Sequence, residues 1–215
     1  MGIQKDSVRD QVRRTLTERI LARHYQPGDR LVEMQIAREL GTSQGSVREA
    51  LRELEASRLV ESEPHRGTRV RVVSLKELQD AYFARGALEQ AAAATAAKSF
   101  KGNVEQLRRE FQGVLDAAEA RDFGEQAAHV YAFHRRIVEA SGNCVLLRLW
   151  DSLAIETRAR VRLGWAAIDL QQVKASYEAI LAALEKGDSR ASARLLQEHA
   201  ASFAPIDDGI VSQLE

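Results

Sequence analysis

The sequence predicts a mainly α protein with an N-terminal winged helix-turn-helix (an α+β unit) followed by an all-α helical bundle. Three observations lead to this prediction. Two short helical patterns are separated by a glycine turn, a strictly alternating segment occupies 68–72, and only helical periodicity follows residue 74. We expect the 215 residues to form two domains, 1–74 and 75–215.

The first domain opens with an amphipathic helix over 6–23. Its apolar residues recur at every fourth position: Val8, Val12, Leu16 and Ile20. A Pro-Gly-Asp turn at 27–29 ends this segment, and a second short helix is closed by Gly41. Two helices joined by a short turn that contains glycine are typical of a helix-turn-helix.

A helix predicted over 44–56 has two different faces. Its apolar stripe consists of Val47, Leu51 and Leu54. Its polar face carries Gln44, Arg48 and Arg52. Ser43 is placed to cap the start of the helix. Small residues at a helix N-terminus can approach phosphate while long side chains reach base edges, so the pattern suits a DNA major groove. The alternative is an ordinary amphipathic surface helix.

A β-hairpin is predicted directly after this helix, with strands at 59–62 and 68–72. In the second strand Val70 and Val72 are expected on one face, with arginines on the other. The turn carries the predicted wing tip, His65-Arg66-Gly67. Such a tip suits the DNA backbone or the minor groove, where arginine is favoured; the alternative is a solvated turn.

Charge and composition narrow the class of protein only slightly. The net charge is zero, but residues 1–75 hold 14 Lys/Arg against 11 Asp/Glu, and the remainder is acidic. The one cysteine, Cys144, excludes a disulfide within the chain and is expected to be a buried structural thiol. The sequence contains neither an apolar run long enough to span a membrane nor an apolar signal core. We therefore expect a soluble cytoplasmic protein.

The motifs of the first domain together are similar to those of a known family. They are Pro27-Gly28-Asp29-Arg30-Leu31, Ala37, Leu40-Gly41, the run from Ser43 to Leu51, Leu54, Leu59-Val60 and Arg66-Gly67. They resemble the winged helix-turn-helix of the GntR transcription regulators. Gln44 departs from that family's frequent Arg and Ser46 from its Pro, so the operator is expected to differ, because Gln pairs best with adenine and Arg with guanine. The resemblance implies these DNA-binding residues: Arg38, Thr42, Ser43, Gln44, Ser46, Arg48, Arg52, His65, Arg66 and Gly67.

The second domain is predicted to be a bundle of about six or seven helices. Ser74 with Glu77 fits a capping box that opens the first of them, and Asn143 can cap another. Its motifs are Arg85-Gly86-Ala87-Leu88-Glu89, Phe133-His134-Arg135-Arg136-Ile137, Ser141-Gly142-Asn143 and Ala183-Leu184-Glu185-Lys186-Gly187-Asp188, with Ala193 and His199. They are similar to the effector-binding FCD domain of the FadR subfamily within the GntR family. The resemblance implies that this domain dimerises and binds a small effector.

Many members of that subfamily hold a divalent metal through one Asp and three His. The corresponding positions here are Val130, His134, Tyr177 and His199, so only His134 and His199 match. Valine cannot ligate a metal, and neutral tyrosine is a poor ligand for a zinc-like ion. We expect hydrogen-bonded pocket histidines and no required cofactor. A zinc-, nickel- or manganese-like site would need a further ligand that the sequence does not indicate.

The effector pocket is predicted from the same resemblance. Arg158 and Arg162 share one helix face, and arginines on this helix of the subfamily often hold a carboxylate. A solvated arginine face is the equal alternative. The full predicted set is Tyr131, His134, Arg158, Arg162, Tyr177 and His199.

These expectations combine into a homodimeric regulator that binds a double-stranded DNA operator and senses a small metabolite, an organic acid by resemblance. A metal-dependent sensor of the same family and an architectural DNA-binding protein without a ligand remain alternatives. An enzyme that uses the histidines and arginines is a further alternative. It is disfavoured because the sequence shows no nucleophile–base spacing and no His-Glu-x-x-His motif.

Overall fold

The computed structural model describes residues 7–21, 24–63, 66–72, 74–155, 157–159 and 170–203. The chain divides into two compact units, Met1–Val73 and Ser74–Glu215. Each unit buries its own hydrophobic core.

The first unit contains three helices and a three-stranded antiparallel sheet among its described residues. In chain order the elements are α1 (Val8–Leu21), β1 (Arg30–Leu31), α2 (Glu33–Glu39), α3 (Gln44–Ala56), β2 (Val60–Glu63) and β3 (Gly67–Val70). Strand β3 lies between β1 and β2, and Val60 pairs with Val70 across the hairpin. This arrangement confirms the predicted winged helix-turn-helix.

The turn before α3 follows directly from its residues. Gly41 adopts a φ of +61°, a left-handed conformation that glycine enters without steric cost, so α2 ends there. The Ser43 hydroxyl accepts a hydrogen bond from the Ser46 backbone N–H at 3.1 Å and caps α3. The apolar stripe of α3 is buried, and α3 packs against α1. The opposite face of α3 is therefore left toward solvent.

Two details of the sheet differ from the prediction. Arg30–Leu31, where the sequence predicts no strand, forms a short edge strand that pairs with β3. Strand β3 also ends earlier than the alternating pattern suggests, because pairing with β2 stops at Val70. Val72 is consequently 60% exposed and does not share the buried face of Val70.

The second unit is helical throughout its described residues. Its helices are α4 (Leu75–Ala96), a 3-10 turn (Ala97–Phe100), α5 (Glu105–Glu119), α6 (Phe123–Ala140), α7 (Cys144–Asp151), α8 (Leu170–Lys186) and α9 (Ser189–Ser202). Residue 155 and residues 157–159 are also helical. Helix α4 packs extensively against α9, and α5 packs against α6. The all-helical bundle is therefore as predicted.

Side-chain caps fix the helix starts in this unit. The Ser74 hydroxyl accepts from the Glu77 N–H at 3.1 Å, and the Asn143 side chain accepts from the N–H groups of Val145 and Leu146. Cys144 follows Asn143 and is the first residue of α7. Cys144 is exposed, so the prediction of a buried thiol is wrong. None of the helices in the described ranges has the length and apolarity needed to cross a bilayer.

Candidate functional site

The polar face of α3 is accessible to a macromolecule. Gln44, Arg48 and Arg52 are all exposed, and 51% of the Arg48 side chain is open to solvent. The other predicted contacts that the structure describes are exposed or half-buried: Arg38, Thr42, Ser43, Ser46, Arg66 and Gly67. The geometry therefore brings a row of cationic and amide side chains to one surface of the first unit.

Glu33, at the start of α2, contacts two side chains of this surface. Its carboxylate accepts hydrogen bonds from Arg48 Nε at 3.0 and 3.2 Å and from Arg48 Nη2 at 2.7 Å. It also accepts from Gln44 Nε2 at 2.9 Å. The hydrogen bonds from Arg48 hold the pKa of Glu33 below its usual value, so this carboxylate is ionised at neutral pH. Glu33 was not predicted as a site residue, because its partners lie 11 and 15 positions away in the sequence.

The wing presents its arginine at the tip of the hairpin. Arg66 is exposed and forms an ion pair with Glu63 at 3.0 Å. Gly67 has a φ of +78°, and a Cβ there would lie 3.3 Å from the Arg30 guanidinium, so a larger residue would crowd that side chain. His65, also predicted at the tip, lies outside the described residues.

A second candidate site is a small cavity in the helical unit, with a volume of about 30 Å³. It lies among residues of α4, α5, α6, α8 and α9. The lining residues are Tyr82, Arg85, Val114, Gln126, Val130, Ala159, Val173, Tyr177, His199 and Phe203. A space of this size takes about two waters or the head group of a carboxylate, so a larger effector requires side-chain movement.

A buried ion pair stands beside this cavity. Arg85 Nε donates to Glu89 Oε1 at 2.8 Å, and both side chains are almost completely shielded from water. Trp150 Nε1 also donates to Glu89 Oε1, at 3.0 Å, while His134 Nδ1 lies 3.0 Å from Glu89 Oε2. Burial alone would raise the pKa of Glu89, but Arg85 and His134 hold that pKa far below its usual value. Arg85 Nη2 has no hydrogen-bond partner among the residues that the structure describes.

His134, Tyr177 and His199 converge as the sequence predicts. The imidazole rings of His134 and His199 stack with centroids 5.1 Å apart, and the Tyr177 hydroxyl lies 3.4 Å from His134 Nε2. Since Glu89 can only accept, His134 carries its proton on Nδ1 and Nε2 accepts from Tyr177. His199 Nδ1 is hydrogen-bonded to Ser176. Burial lowers the pKa of both histidines and raises the pKa of Tyr177, so all three groups are neutral at pH 7.

The residues at this cavity do not fit a divalent metal. Val130 lines the cavity without a donor atom, and Tyr177 keeps its phenolic proton. Two imidazoles remain, whereas a zinc-like ion takes four ligands, at least three of them from the protein. Within the described ranges, no group of three or more His, Cys, Asp or Glu residues is placed to hold a metal ion.

Three members of the predicted effector set are placed elsewhere or lie beyond the described residues. The Tyr131 ring packs against Trp150, with its hydroxyl 3.3 Å from Asp151. Arg158 is buried, not part of a solvated face, and donates to Glu77 at 2.8 Å. Arg162 lies outside the described residues. Arg85 is the arginine at the cavity. In the sequence Arg85 opens the Arg85-Gly86-Ala87-Leu88-Glu89 motif of the FCD resemblance and has Glu89 at i+4, but it was not predicted as an effector-binding residue.

Comparisons with known proteins identify the family of both parts of the chain. Residues 8–70 match the family model "Bacterial regulatory proteins, gntR family", and residues 80–202 match the FCD domain. The chain is 37% identical over 203 residues to the "Probable D-xylose utilization operon transcriptional repressor" of Paenarthrobacter nicotinovorans, covering 94% of this chain and 90% of that protein. It is 28% identical to the "Nta operon transcriptional regulator" of Aminobacter aminovorans, covering 89% and 92%.

Solved structures show the same fold. The structure of E. coli McbR/YncC superposes with a TM-score of 0.70 at 24% identity, covering 98% of this chain and all of that one. The matched families and relatives are transcription regulators and not enzymes. The chain therefore belongs to the GntR family of bacterial transcription regulators, in the FadR-like group that pairs a winged helix-turn-helix with an FCD domain.

Proposed function

We propose that this regulator binds its operator as a homodimer and responds to a small carboxylate that binds beside Arg85. The main evidence for a carboxylate is the Arg85 guanidinium, which is buried and borders the cavity. Its Nη2 has no hydrogen-bond partner among the residues that the structure describes. A buried donor without an acceptor costs about 1–3 kcal/mol, so a ligand that accepts there gains affinity. A carboxylate is the acceptor that guanidinium binds best.

The surroundings of Arg85 support an anionic head group of this kind. Glu89 already neutralises the charge of Arg85, and the neutral histidines contribute no further positive charge. A single carboxylate therefore places one negative charge next to the Arg85 Nη2 donor. The second negative charge of a dianion would meet no further positive side chain among the described residues that line the cavity. Tyr177 and His199, which also line the cavity, offer polar groups to the same ligand. We infer that a monocarboxylate fits better than a polyacid.

On the DNA side, the exposed face of α3 is proposed to enter the major groove, with Arg48 and Gln44 at base edges. Ser43 and Ser46 would lie near phosphate at the helix start, and Arg66 would contact the adjacent backbone or minor groove. A homodimer of this design reads two half-sites about 34–36 Å apart, one turn of the duplex. The exposure of Gln44, Arg48 and Arg52 supports this orientation.

A pentose is the second candidate effector. It is favoured by the name of the P. nicotinovorans relative, whose operon concerns D-xylose utilization. The wall of aromatic and neutral polar side chains at the cavity is compatible with a sugar as well as with a carboxylate. A sugar hydroxyl, however, is a neutral acceptor and would bind the Arg85 Nη2 donor less strongly than a carboxylate.

The test measures thermal unfolding of the full chain with acetate, L-lactate, pyruvate or D-xylose added. We expect at least one monocarboxylate to raise the Tm of the wild type, because a ligand that binds the folded state stabilises it. Arg85→Lys should abolish that rise, since lysine keeps the positive charge but has no counterpart of the Nη2 donor. Arg158→Lys is the matched control, because Arg158 is likewise buried and pairs with Glu77. A response to D-xylose alone, or a carboxylate response lost in Arg158→Lys and kept in Arg85→Lys, contradicts the proposal.

A further inference from the structure

We propose that Glu33 is a positioning residue for base recognition: it holds Arg48 and Gln44 in the orientations that read the operator, and thereby sets sequence preference. The inference rests on the proposed reading of bases by α3. It concerns a residue in α2 that is not itself aimed at a base. Its evidence is a single carboxylate shared by two side chains of the DNA-facing surface.

The contact to Arg48 occupies one edge of the guanidinium. Glu33 accepts from Nε and from Nη2, which together form the side edge of the planar group. The remaining edge, formed by Nη1 and the second N–H of Nη2, has the spacing that matches O6 and N7 of guanine. Half of the Arg48 side chain is exposed, so this edge is accessible while the other stays bound. Glu33 therefore orients Arg48 without consuming the group that reads a base.

The contact to Gln44 fixes which end of its amide faces the carboxylate. An amide oxygen beside an ionised carboxylate would be repelled, so the NH₂ group must face Glu33. The N–H on the far side from the amide oxygen can bind Glu33. The other N–H and the oxygen then form the fork that matches N7 and N6 of adenine. Without Glu33 the Gln44 amide can adopt either of two orientations related by a flip. The N–H and the oxygen then match adenine in only one of these orientations.

Glu33 also changes the balance between specific and nonspecific binding. Its negative charge lies 2.7 Å from Arg48 Nη2 and reduces the attraction of that side chain to phosphate, the sequence-independent part of binding. Removing the carboxylate is therefore expected to have two effects of opposite sign. Affinity for arbitrary DNA should stay the same or rise, while discrimination between bases should fall. A merely structural role would lower both.

The experiment selects duplexes from a randomised DNA pool with the full-length wild type and with Glu33→Ala, Glu33→Gln, Arg48→Ala and Glu39→Ala. Glu39 is the matched control because it lies on the same helix and pairs with an arginine, Arg19 at 2.9 Å, without touching Gln44 or Arg48. Fluorescence anisotropy then measures the affinity of each variant for the selected wild-type duplex and for a scrambled duplex. Circular dichroism verifies that each variant is folded.

We expect Glu33→Ala to lower the ratio of selected to scrambled affinity about tenfold, with scrambled binding unchanged or stronger. Glu33→Gln should fall between Glu33→Ala and the wild type, and Glu39→Ala should match the wild type. The inference is overturned if Glu33→Ala selects the wild-type motif with an unchanged ratio. It is equally overturned if Glu33→Ala binds every duplex more tightly by one common factor, or if Glu39→Ala has the same effect. If Arg48→Ala still selects the wild-type motif, the proposed contact of α3 with bases is contradicted. If Arg48→Ala loses the motif and Glu33→Ala keeps it, only the inference about Glu33 is contradicted.

Discussion

At the residue scale, the buried histidines of the helical unit are held neutral by their surroundings. His134 and His199 are shielded from water, and the nearby Arg85 charge further disfavours imidazolium at both positions. In the unfolded chain both side chains return to an ordinary pKa of about 6.5. The unfolded state therefore binds more protons than the folded state at pH values between about 6.5 and the lowered pKa values of the folded state. Acid should destabilise the helical unit well above the pH at which carboxylates are protonated.

We predict that the free energy of unfolding of the wild type falls as the pH is lowered from 7 to 5. The sign follows from the lowered folded-state pKa values of His134 and His199, since stability is lost wherever the unfolded state takes up more protons. Each histidine contributes at most about 1.4 kcal/mol per pH unit. The pKa of Glu89 is also lowered, but its contribution is lost only below about pH 4.3, outside this window.

Urea denaturation at pH 7, 6 and 5, followed by far-UV circular dichroism, measures this dependence. His199→Gln removes one of the two groups, so its free energy of unfolding should fall less steeply with pH than that of the wild type. A wild-type stability that does not change over this range, or an identical slope in His199→Gln, would show that the imidazoles are not held neutral.

The sequence located some of these residues and missed others for a physical reason. His134, Tyr177 and His199 could be placed together because the resemblance supplies their positions. Arg85 and Glu33 were not recognised as site residues, because the cavity that Arg85 lines and the contacts that Glu33 makes are formed by residues distant in the sequence. Trp150 meets Glu89 from 61 positions away, and Arg48 meets Glu33 from 15.

At the element scale, local chemistry predicted where three of the helices begin. Ser43, Ser74 and Asn143 were recognised as caps from their residue type and from the apolar periodicity that follows them, and each accepts backbone N–H groups. The strand Arg30–Leu31 was missed because two residues are too short for a periodic signal, and its pairing with residues near 68 is nonlocal. Exposure of Cys144 was likewise missed, since the apolar residues after it suggested burial.

The contact between α5 and α6 provides a prediction in which packing opposes helix propensity. Gly113 lies within α5, where alanine would ordinarily stabilise the helix by about 0.5–1 kcal/mol. A Cβ at this position, however, would lie 2.5 Å from the His129 ring, which Glu110 holds at 2.9 Å. Relieving such an overlap costs about 1–3 kcal/mol, so Gly113→Ala should lower the free energy of unfolding by about 1 kcal/mol.

The control for this prediction removes the obstructing ring. In the His129→Ala background the new methyl group meets no imidazole, so adding Gly113→Ala should raise stability through helix propensity alone. Urea denaturation of the two single variants and the double variant at pH 7 gives the coupling between the positions. A Gly113→Ala variant that is stabilised in the wild-type background would show that His129 yields without cost.

At the scale of the whole molecule, the proposed response to an effector requires an energetic link between the cavity of the helical unit and the DNA-binding surface of the first unit. Such a link exists only if the effector binds the DNA-competent and DNA-incompetent states with unequal affinity. The buried Arg85–Glu89 pair is suited to this role, because an anion at Arg85 Nη2 changes the electrostatic balance of a network that joins α4, α6 and α7.

The most direct measurement is the Kd of the full-length protein for its selected duplex, by fluorescence anisotropy, with and without the monocarboxylate that raises the Tm. We predict that this ligand changes the Kd of the wild type by about 5- to 150-fold, the usual range for allosteric coupling. Arg85→Lys should bind the same duplex with an unchanged Kd and show no response to the ligand. A wild-type Kd that stays constant at saturating ligand, or an Arg85→Lys variant that responds like the wild type, would contradict the proposed coupling.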